Sequence, residues 1–431
     1  MVRSMLESRF GVLRSLRGDG NRAVRSVILA STVDQIADWA VLIALLALVY
    51  SISDDLRIVA LFLLARLISR AVASFALGTL GVSWWRSWTW AAELSVIHAG
   101  AIACLIAVEQ RADFWWAWPV VLVSSTAGVL LEARRCALLS DGVARLKVLA
   151  VNAACVIIGR AAFVGGALLS GGMLLWWSPH VVLLISAVSL ILSAGFAVAL
   201  ALGRRSEGTD PAVLTPVALQ DTSPDALPAV SARLRREPRV RLSIGSLFVN
   251  GLIAASMQLA LVVIVFESFA RPHAMLGFMF ACVALGMLLG PLPIPKLLVR
   301  LSPGLLLVGV VGALALGLVA AIHTPLPAIV LAVAFVSGML AITSEELAVL
   351  LVRRLVPGAQ LDSALRAMQH GVTAGQLSAL VGAVLVAELW VGDWTVIAIT
   401  GACLCLIGIL FLHDAGSRPA SGSAPERMRR A

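Results

Sequence analysis

The sequence predicts an all-α, polytopic membrane protein with twelve transmembrane helices in two six-helix bundles. Hydrophobic residues fill 60% of the 431 positions, charged residues fill 13%, and the mean hydropathy is +0.98. A soluble domain usually carries about twice that charged fraction. The chain also contains twelve apolar runs of the length that crosses a bilayer, and its second half repeats the first.

Tryptophan residues mark the ends of the apolar runs. In chain order the runs span 27–50, 57–80, 89–108, 114–133, 147–171, 180–203, 243–266, 274–297, 304–323, 326–352, 364–387 and 393–413. Tryptophan lies between runs 2 and 3, at the start of run 4, between runs 5 and 6, and between runs 11 and 12. The indole ring favours the membrane interface, so these positions support the boundaries. Only Trp39 lies deep within a run.

Basic residues assign the two sides of the membrane. With the N-terminus inside, the inner segments carry 27 of the 33 Lys and Arg residues, and the outer loops carry three, Arg57, Arg111 and Arg271. Short inner loops of membrane proteins are enriched in Lys and Arg. The asymmetry therefore predicts that both termini are cytoplasmic. It also accounts for the net charge of +9 without nucleic-acid binding.

The longest polar interruption divides the chain into two similar halves. Residues 204–242 are rich in Pro, Ser and charge, and a shift of 216 residues superimposes the runs on either side. Under this shift Asp34 falls on Asn250 and Arg160 on Gln376. The predicted parts are a basic cytoplasmic N-terminus (1–26), a first bundle (27–203), a cytoplasmic linker (204–242), a second bundle (243–413) and a disordered cytoplasmic tail (414–431).

Several stretches carry a family resemblance. IADWAVLIALLALVY lies in run 1, LFLLARLISRAVASFALGTL in run 2, and LLEARRCALLSDGVARLKVLAVN between runs 4 and 5; LGFMFACVALGMLLGPL and LVRRLVPGAQLDSALRAMQHG follow in the second half. Together they resemble the major facilitator superfamily, and within it the enterobactin exporter and related bacterial drug and siderophore effluxers. The resemblance covers residues 27–413 and implies a small-molecule transporter of the bacterial cytoplasmic (inner) membrane. We expect it to be a monomer in the lipid bilayer.

One loop departs from the family pattern. Members usually carry GxLaDRxGRR between helices 2 and 3, and its acid and arginines latch the two bundles together. Here the stretch reads GTLGVSWWRSW, in which Gly78, Leu80 and Arg86 match but Val82 and Ser83 replace the Asp and the Arg. The three matching residues are gating candidates. The missing latch leaves open how the bundles alternate.

Four charged residues lie within the first two runs. Asp34 and Asp38 are four residues apart in run 1, and Arg66 and Arg70 are four apart in run 2. A charge at a helix centre costs about 2.5–3.5 kcal/mol on insertion scales, so these side chains are expected to pair. Because the two runs are antiparallel, the sequence predicts Asp38 with Arg66 and Asp34 with Arg70. This ladder either ties the helices together or couples proton binding to transport, and both interpretations stay open.

Further polar residues within the runs are candidate substrate or ion contacts: Arg160, Asn250, Gln258, Glu345, His370 and Gln376. Arg160 either binds an anionic group or joins the aspartates as a third cation. Glu345, which precedes Glu346, is expected to face a cavity in the second bundle, near His370. For the amides and the histidine, ordinary helix-to-helix packing is the alternative to a ligand contact.

Enzyme chemistry has no support in the sequence. It contains no phosphate-binding glycine loop with Lys, no His/Cys cluster at metal-ligand spacing and no GxSxG elbow. We therefore expect no catalytic residue, no cofactor and no bound metal. The function expected is secondary active transport, specifically proton-coupled efflux of small molecules. The alternative, motivated by the missing latch, is a transport-incompetent membrane scaffold or accessory protein.

Overall fold

The structure, a computed structural model, describes residues 22–79, 88–141, 148–206, 238–269, 271–292, 313, 326–356 and 358–389. Within these residues it contains ten α-helices, one short 3₁₀-helix and no strand. Seven of the helices are long and apolar enough to cross a membrane, and Trp90–Leu105 is apolar but shorter. The predicted all-α membrane fold is confirmed.

The helices follow the predicted runs closely. The first half contributes α1 (Arg22–Ser53), α2 (Leu56–Thr79), α3 (Trp88–Leu105), α4 (Phe114–Asp141), α5 (Val148–Met173) and α6 (Pro179–Ser206), with a 3₁₀-helix at Arg111–Asp113. The second half contributes α7 (Pro238–Ser268), α8 (Pro272–Leu289), α9 (Pro327–Leu355) and α10 (Gly358–Leu389). These are predicted runs 1 to 8, 10 and 11. Runs 9 and 12, the N-terminal stretch before α1, most of the linker and the tail lie outside the described residues.

A tight turn between α1 and α2 sets their antiparallel pairing. Asp54 has a φ of 49°, in the left-handed region that Asp tolerates better than most residues. The next carboxylate, Asp55, accepts a hydrogen bond from the backbone N–H of Arg57 at 2.9 Å, in the first turn of α2. Because only two residues separate the helices, positions near the middle of α1 lie opposite positions near the middle of α2.

The packing within each half repeats, as the shift of 216 residues predicts. In the first half α5 packs on α1 through Gly159, where an added Cβ would lie 3.0 Å from Gln35 Oε1. In the second half the equivalent Gly375 of α10 lies against the backbone of Phe248 on α7. Glycine allows both close approaches because it has no side chain.

Contacts between the halves obey the same symmetry. α5 packs against α8, and α10 packs against α2. Under the shift, α5 corresponds to α10 and α2 corresponds to α8. The two interfaces are therefore equivalent. The two halves are therefore related by an approximate two-fold axis, the arrangement of a parallel repeat.

The halves are in contact on the side of the membrane where α1 ends. Gly171 near the end of α5 meets Gly277 near the start of α8. The rings of Tyr50 on α1 and Phe266 on α7 lie 4.6 Å apart between centroids. Between described residues, no hydrogen bond, ion pair or ring contact joins the halves near the side where α1 begins. The structure is thus a conformation closed on the side predicted to be external.

Candidate functional site

A partly buried ion pair lies near the middle of α1 and α2. Arg66 Nη2 donates to Asp38 Oδ2 at 2.6 Å, and the two side chains are 17% and 32% exposed. The tight turn described above places these positions opposite each other. The first predicted pair, Asp38 with Arg66, is confirmed.

The second predicted pair is wrong. Asp34 is buried, and its Oδ2 accepts a hydrogen bond from Ser193 Oγ of α6 at 2.8 Å. Among the described residues, no ion pair or hydrogen bond joins Asp34 to Arg70. The reason is that α6 brings a hydroxyl donor directly to the buried carboxylate, whereas the Arg70 side chain is exposed.

His98 of α3 is a member of the site that the sequence analysis missed. Its side chain is 2% exposed, and its Nε2 lies 3.8 Å from Asp38 Oδ1. Neither ring nitrogen makes a hydrogen bond within the described part of the chain. Gly128 of α4 leaves room for the ring, because a Cβ there would lie 3.1 Å from His98 Cε1. A lone histidine in an apolar helix has no spacing that marks it as a ligand, so only the packing of α3 reveals it.

These side chains line one polar cavity, which we call the first-bundle cavity. Helices α1 to α4 build it, and its lining consists of Asp34, Gln35, Asp38, Arg66, Arg70, His98, Ser125, Gly128, Val129, Leu131 and Glu132. Arg70 and Glu132 are exposed, whereas His98 is buried. The cavity thus joins an exposed charged rim to a buried imidazole and a partly buried ion pair.

A second ion pair crosses from one half to the other. Arg160 Nη2 of α5 lies 3.1 Å from Glu346 Oε1 of α9, and the side chains are 16% and 33% exposed. Arg160 therefore does not join the aspartates of the first-bundle cavity. The Glu345 side chain is exposed and forms no ion pair with a described residue. Of the two neighbouring glutamates, Glu346 pairs with the arginine, and the Glu345 side chain is exposed.

Aromatic rings pack together one helical turn from Arg160, toward the closed side of the protein. Phe163, one turn beyond Arg160 on α5, stacks on Trp39 of α1 with the ring centroids 3.7 Å apart. Phe163 also lies 6.5 Å from the ring of Phe280 on α8. The pair between the halves therefore lies next to an apolar layer.

The remaining candidates lie apart from both ion pairs. Asn250 is buried, and its Nδ2 donates to the carbonyl of Ala341 on α9 at 3.3 Å, a helix-to-helix hydrogen bond. Within the described residues, the side chains of Gln258, His370 and Gln376 form no hydrogen bond or ion pair. His370 is consequently not paired with Glu345.

The gating candidates fall at the edge of the described structure. Gly78 lies in the last turn of α2, which ends at Thr79. Leu80 and Arg86 lie outside the described residues. The missing latch therefore remains an observation on the sequence.

Comparison with solved structures identifies the fold. No protein-family model and no curated protein matches the sequence. A mutant of the nucleoside transporter NupG is similar with a TM-score of 0.70 and 15% identity, over 91% of this chain and 99% of that chain. A bacterial homologue of the iron transporter ferroportin, in an inward-facing state, gives 0.68 and 15%, over 92% and 99%. A mutant of the peptide transporter POT gives 0.66 and 12%, over 93% and 96%.

These similarities define a class of fold. The chain has the major facilitator fold of two six-helix bundles, as the sequence predicts. At 12 to 15% identity the resemblance concerns the fold alone. The narrower resemblance to the enterobactin exporter and drug effluxers stays a prediction from the sequence.

Proposed function

We propose that the protein is a secondary transporter that exports small molecules across the bacterial cytoplasmic membrane in exchange for protons. The observation that carries the proposal is the ion pair of Asp38 with Arg66, which lies near the middle of the membrane beside a polar cavity. Ionisable residues at this depth are costly and usually mark ion pathways or proton relays. The fold supports the same function, because the three similar structures named above are transporters.

The substrate path is proposed to run between the halves. With both termini cytoplasmic, the side closed by Gly171 and Gly277 is external, so this conformation is inward-facing. A substrate arriving from the cytoplasm then meets the Arg160–Glu346 pair below the aromatic layer. The neighbouring Glu345 adds a second carboxylate, so the site offers charges of both signs to a small molecule.

Coupling is proposed to act through the first-bundle cavity. A proton taken up beside Asp38 weakens the attraction that holds Arg66. Releasing Arg66 changes the packing of α1 against α2, and both helices take part in the interface between the halves. Proton binding thereby shifts the equilibrium between inward-facing and outward-facing states.

Inverted membrane vesicles with an acidic interior test the proposal without a known substrate. The vesicles are incubated with a mixed library of metabolites and drugs, and their contents are analysed by mass spectrometry. We expect at least one compound to accumulate with the wild-type protein and to be lost when the pH gradient is collapsed. Asp38→Asn should abolish the accumulation.

Asp55→Asn is the matched control, because Asp55 pairs with Arg57 and Arg111 in the turn after α1, away from the cavity. This variant should accumulate the compound as the wild type does. If no compound accumulates with a folded wild-type protein across a broad library, the transport proposal fails. A scaffold or accessory role would then be the better interpretation.

A further inference from the structure

We propose that His98 binds the coupling proton, and that Asp38 alternates between Arg66 and protonated His98 with one proton taken up in each cycle. The inference deepens the proposed function and rests on it, because a coupling proton requires transport. Its geometric basis is the position of His98 at the buried end of the first-bundle cavity, 3.8 Å from Asp38.

The His98 imidazole is buried with nothing to bond to among the described residues. Its side chain is 2% exposed, and both ring nitrogens are buried without a hydrogen-bond partner. A buried polar group left in this way costs about 1–3 kcal/mol, so such groups in stable proteins usually have a reason. A site that binds a proton in another conformation provides one.

The distance between His98 and Asp38 is suited to a switch. At 3.8 Å from Asp38 Oδ1, His98 Nε2 is outside hydrogen-bond range but needs a shift of only about 1 Å to enter it. The ring packs directly against Gly128 of α4, where a Cβ would lie 3.1 Å from His98 Cε1, so no side chain at that position blocks a shift of this size. A protonated Nε2–H can therefore reach the Asp38 carboxylate without moving a helix.

Among the described residues of the helices packed on α3, Glu132 is the charged side chain that lines the cavity together with His98. α3 packs against α4 and α6. α4 contributes Glu132 to the cavity, whereas α6 contributes no residue to the lining. The histidine of α6, His180, lies at its start, where Nε2 lies 3.1 Å from the Val108 carbonyl. Among the described carboxylates, Asp38 is the one that lies within ion-pair distance of His98.

The present conformation is then the proton-free one. Arg66 lies 2.6 Å from Asp38 and neutralises it, so a second cation on His98 would be repelled. When Arg66 turns away, Asp38 needs another cation, and His98 provides it by binding a proton. Binding of the proton and release of Arg66 thus favour each other.

Titration of the purified full-length protein tests the inference directly. The chain is labelled with ¹⁵N-histidine in nanodiscs, and the resonance lost in His98→Gln is assigned to His98. In Asp38→Asn the proton affinity of His98 should fall at least about tenfold, because an opposite charge close by is worth about one pH unit or more. In Arg66→Gln it should rise by a similar factor.

His180→Gln is the matched control, and it should remove a different resonance while leaving the titration of His98 unchanged. A histidine with a merely packing role predicts no opposite shifts. If the His98 resonance keeps its position from pH 4 to 9, or if Asp38→Asn leaves its titration unchanged, the inference is wrong. Should Arg66→Gln not fold, the wild type and Asp38→Asn decide alone.

The titration separates this inference from the transport proposal, because it needs no substrate. A shifted titration in a protein that transports nothing would support the proton site and reject the transporter. Transport driven by a pH gradient, together with a His98 titration that Asp38→Asn leaves unchanged, would support the transporter and reject the proton site.

Discussion

At the scale of single residues, Asp38 and Arg66 each stabilise the other's charge near the middle of the membrane. Asp38→Asn leaves a guanidinium without its carboxylate, and Arg66→Gln leaves a carboxylate without its guanidinium. Losing one partner of a fully buried pair costs about 3–5 kcal/mol, and partial exposure lowers this here to about 2–4 kcal/mol. We expect the double variant to be more stable than either single variant.

Thermal unfolding in detergent of the four proteins measures this coupling as a double-mutant cycle. The less stable single variant lowers the midpoint temperature of unfolding, and the double variant should recover at least half of that decrease. Equal and additive losses would show that the two side chains do not stabilise each other. The proposed function adds that the double variant, although stable, no longer accumulates substrate against a pH gradient.

Ser193 gives a second prediction at this scale. Its hydroxyl donates to Asp34 at 2.8 Å in a buried environment. Hydrogen bonds to charged groups contribute about 1.5–3 kcal/mol, so Ser193→Ala should lower the unfolding free energy by about that amount.

Ser189→Ala, one turn earlier on α6, is the control for Ser193→Ala. Ser189 is half-buried, and its hydroxyl donates an exposed hydrogen bond to the Ile185 carbonyl of the same helix. This change should cost less than about 0.5 kcal/mol. Equal stability of the two alanine variants in a thermal melt would mean that the bond to Asp34 contributes nothing.

The site residues differ in how far the sequence could reveal them. Asp38 and Arg66 come from adjacent antiparallel helices, so their depth in the membrane was enough to predict the pair. Ser193 reaches Asp34 from α6, and no local rule states which helix lies behind α1. His98 has no charged neighbour at helical spacing. Both depend on packing between distant segments, which a single sequence does not contain.

At the scale of helices, the interface of α5 with α8 depends on two glycines. A Cβ on Gly277 would collide with the Gly171 backbone, and a Cβ on Gly171 would lie 3.0 Å from the Phe278 nitrogen. Small-to-large changes in a packed interface cost about 1–3 kcal/mol. We therefore expect Gly171→Val to lower the thermal stability of this conformation.

The neighbouring Gly172 is the control for the helix interface, because a Cβ there meets nothing within 4 Å. Gly172→Val should leave the melting temperature within about 1 °C of the wild type, since surface changes usually stay within about 0.5 kcal/mol. If Gly171→Val were as stable as Gly172→Val, the close packing of α5 on α8 would be wrong.

The sequence predicted which segments form helices more accurately than it predicted where each helix ends. Apolar runs reveal where the chain crosses the membrane, and each described helix matches one. Several helices nevertheless extend into polar sequence, and α4 runs to Asp141 although run 4 ends at 133. The reason is that an α-helix satisfies its own backbone hydrogen bonds and can continue into the aqueous phase until a breaker stops it.

At the scale of the molecule, the two halves share a fold but not a charge pattern. Under the shift of 216 residues, Asp38, Arg66 and Arg70 of the first half correspond to Ala254, Cys282 and Gly286. The equivalent space in the second half therefore lacks these charges. The symmetry was visible in the sequence, and so was the uneven distribution of charge, which places the proposed coupling in the first half alone.

The last prediction concerns the equilibrium between conformations. Arg160 and Glu346 join the halves while the side near Tyr50 is closed. Arg160→Gln removes this attraction, so it should favour states in which the halves separate near Tyr50. Because the pair is partly exposed, we assign it about 1.4 kcal/mol, which is a tenfold change in the equilibrium.

Cysteine labelling measures the shift. In a version of the chain without its native cysteines, Tyr50→Cys lies at a position that is 7% exposed in this conformation. A membrane-impermeant maleimide should label it about tenfold faster with Arg160→Gln than without, since labelling follows the population of the open state. Trp115→Cys, at a position 80% exposed, should be labelled at the same rate in both backgrounds.

Glu346→Gln should act as Arg160→Gln does, and adding it to Arg160→Gln should change nothing, because the first substitution has already removed the ion pair. An unchanged labelling rate at position 50 would mean that the ion pair stabilises both conformations equally and does not shift the equilibrium between them.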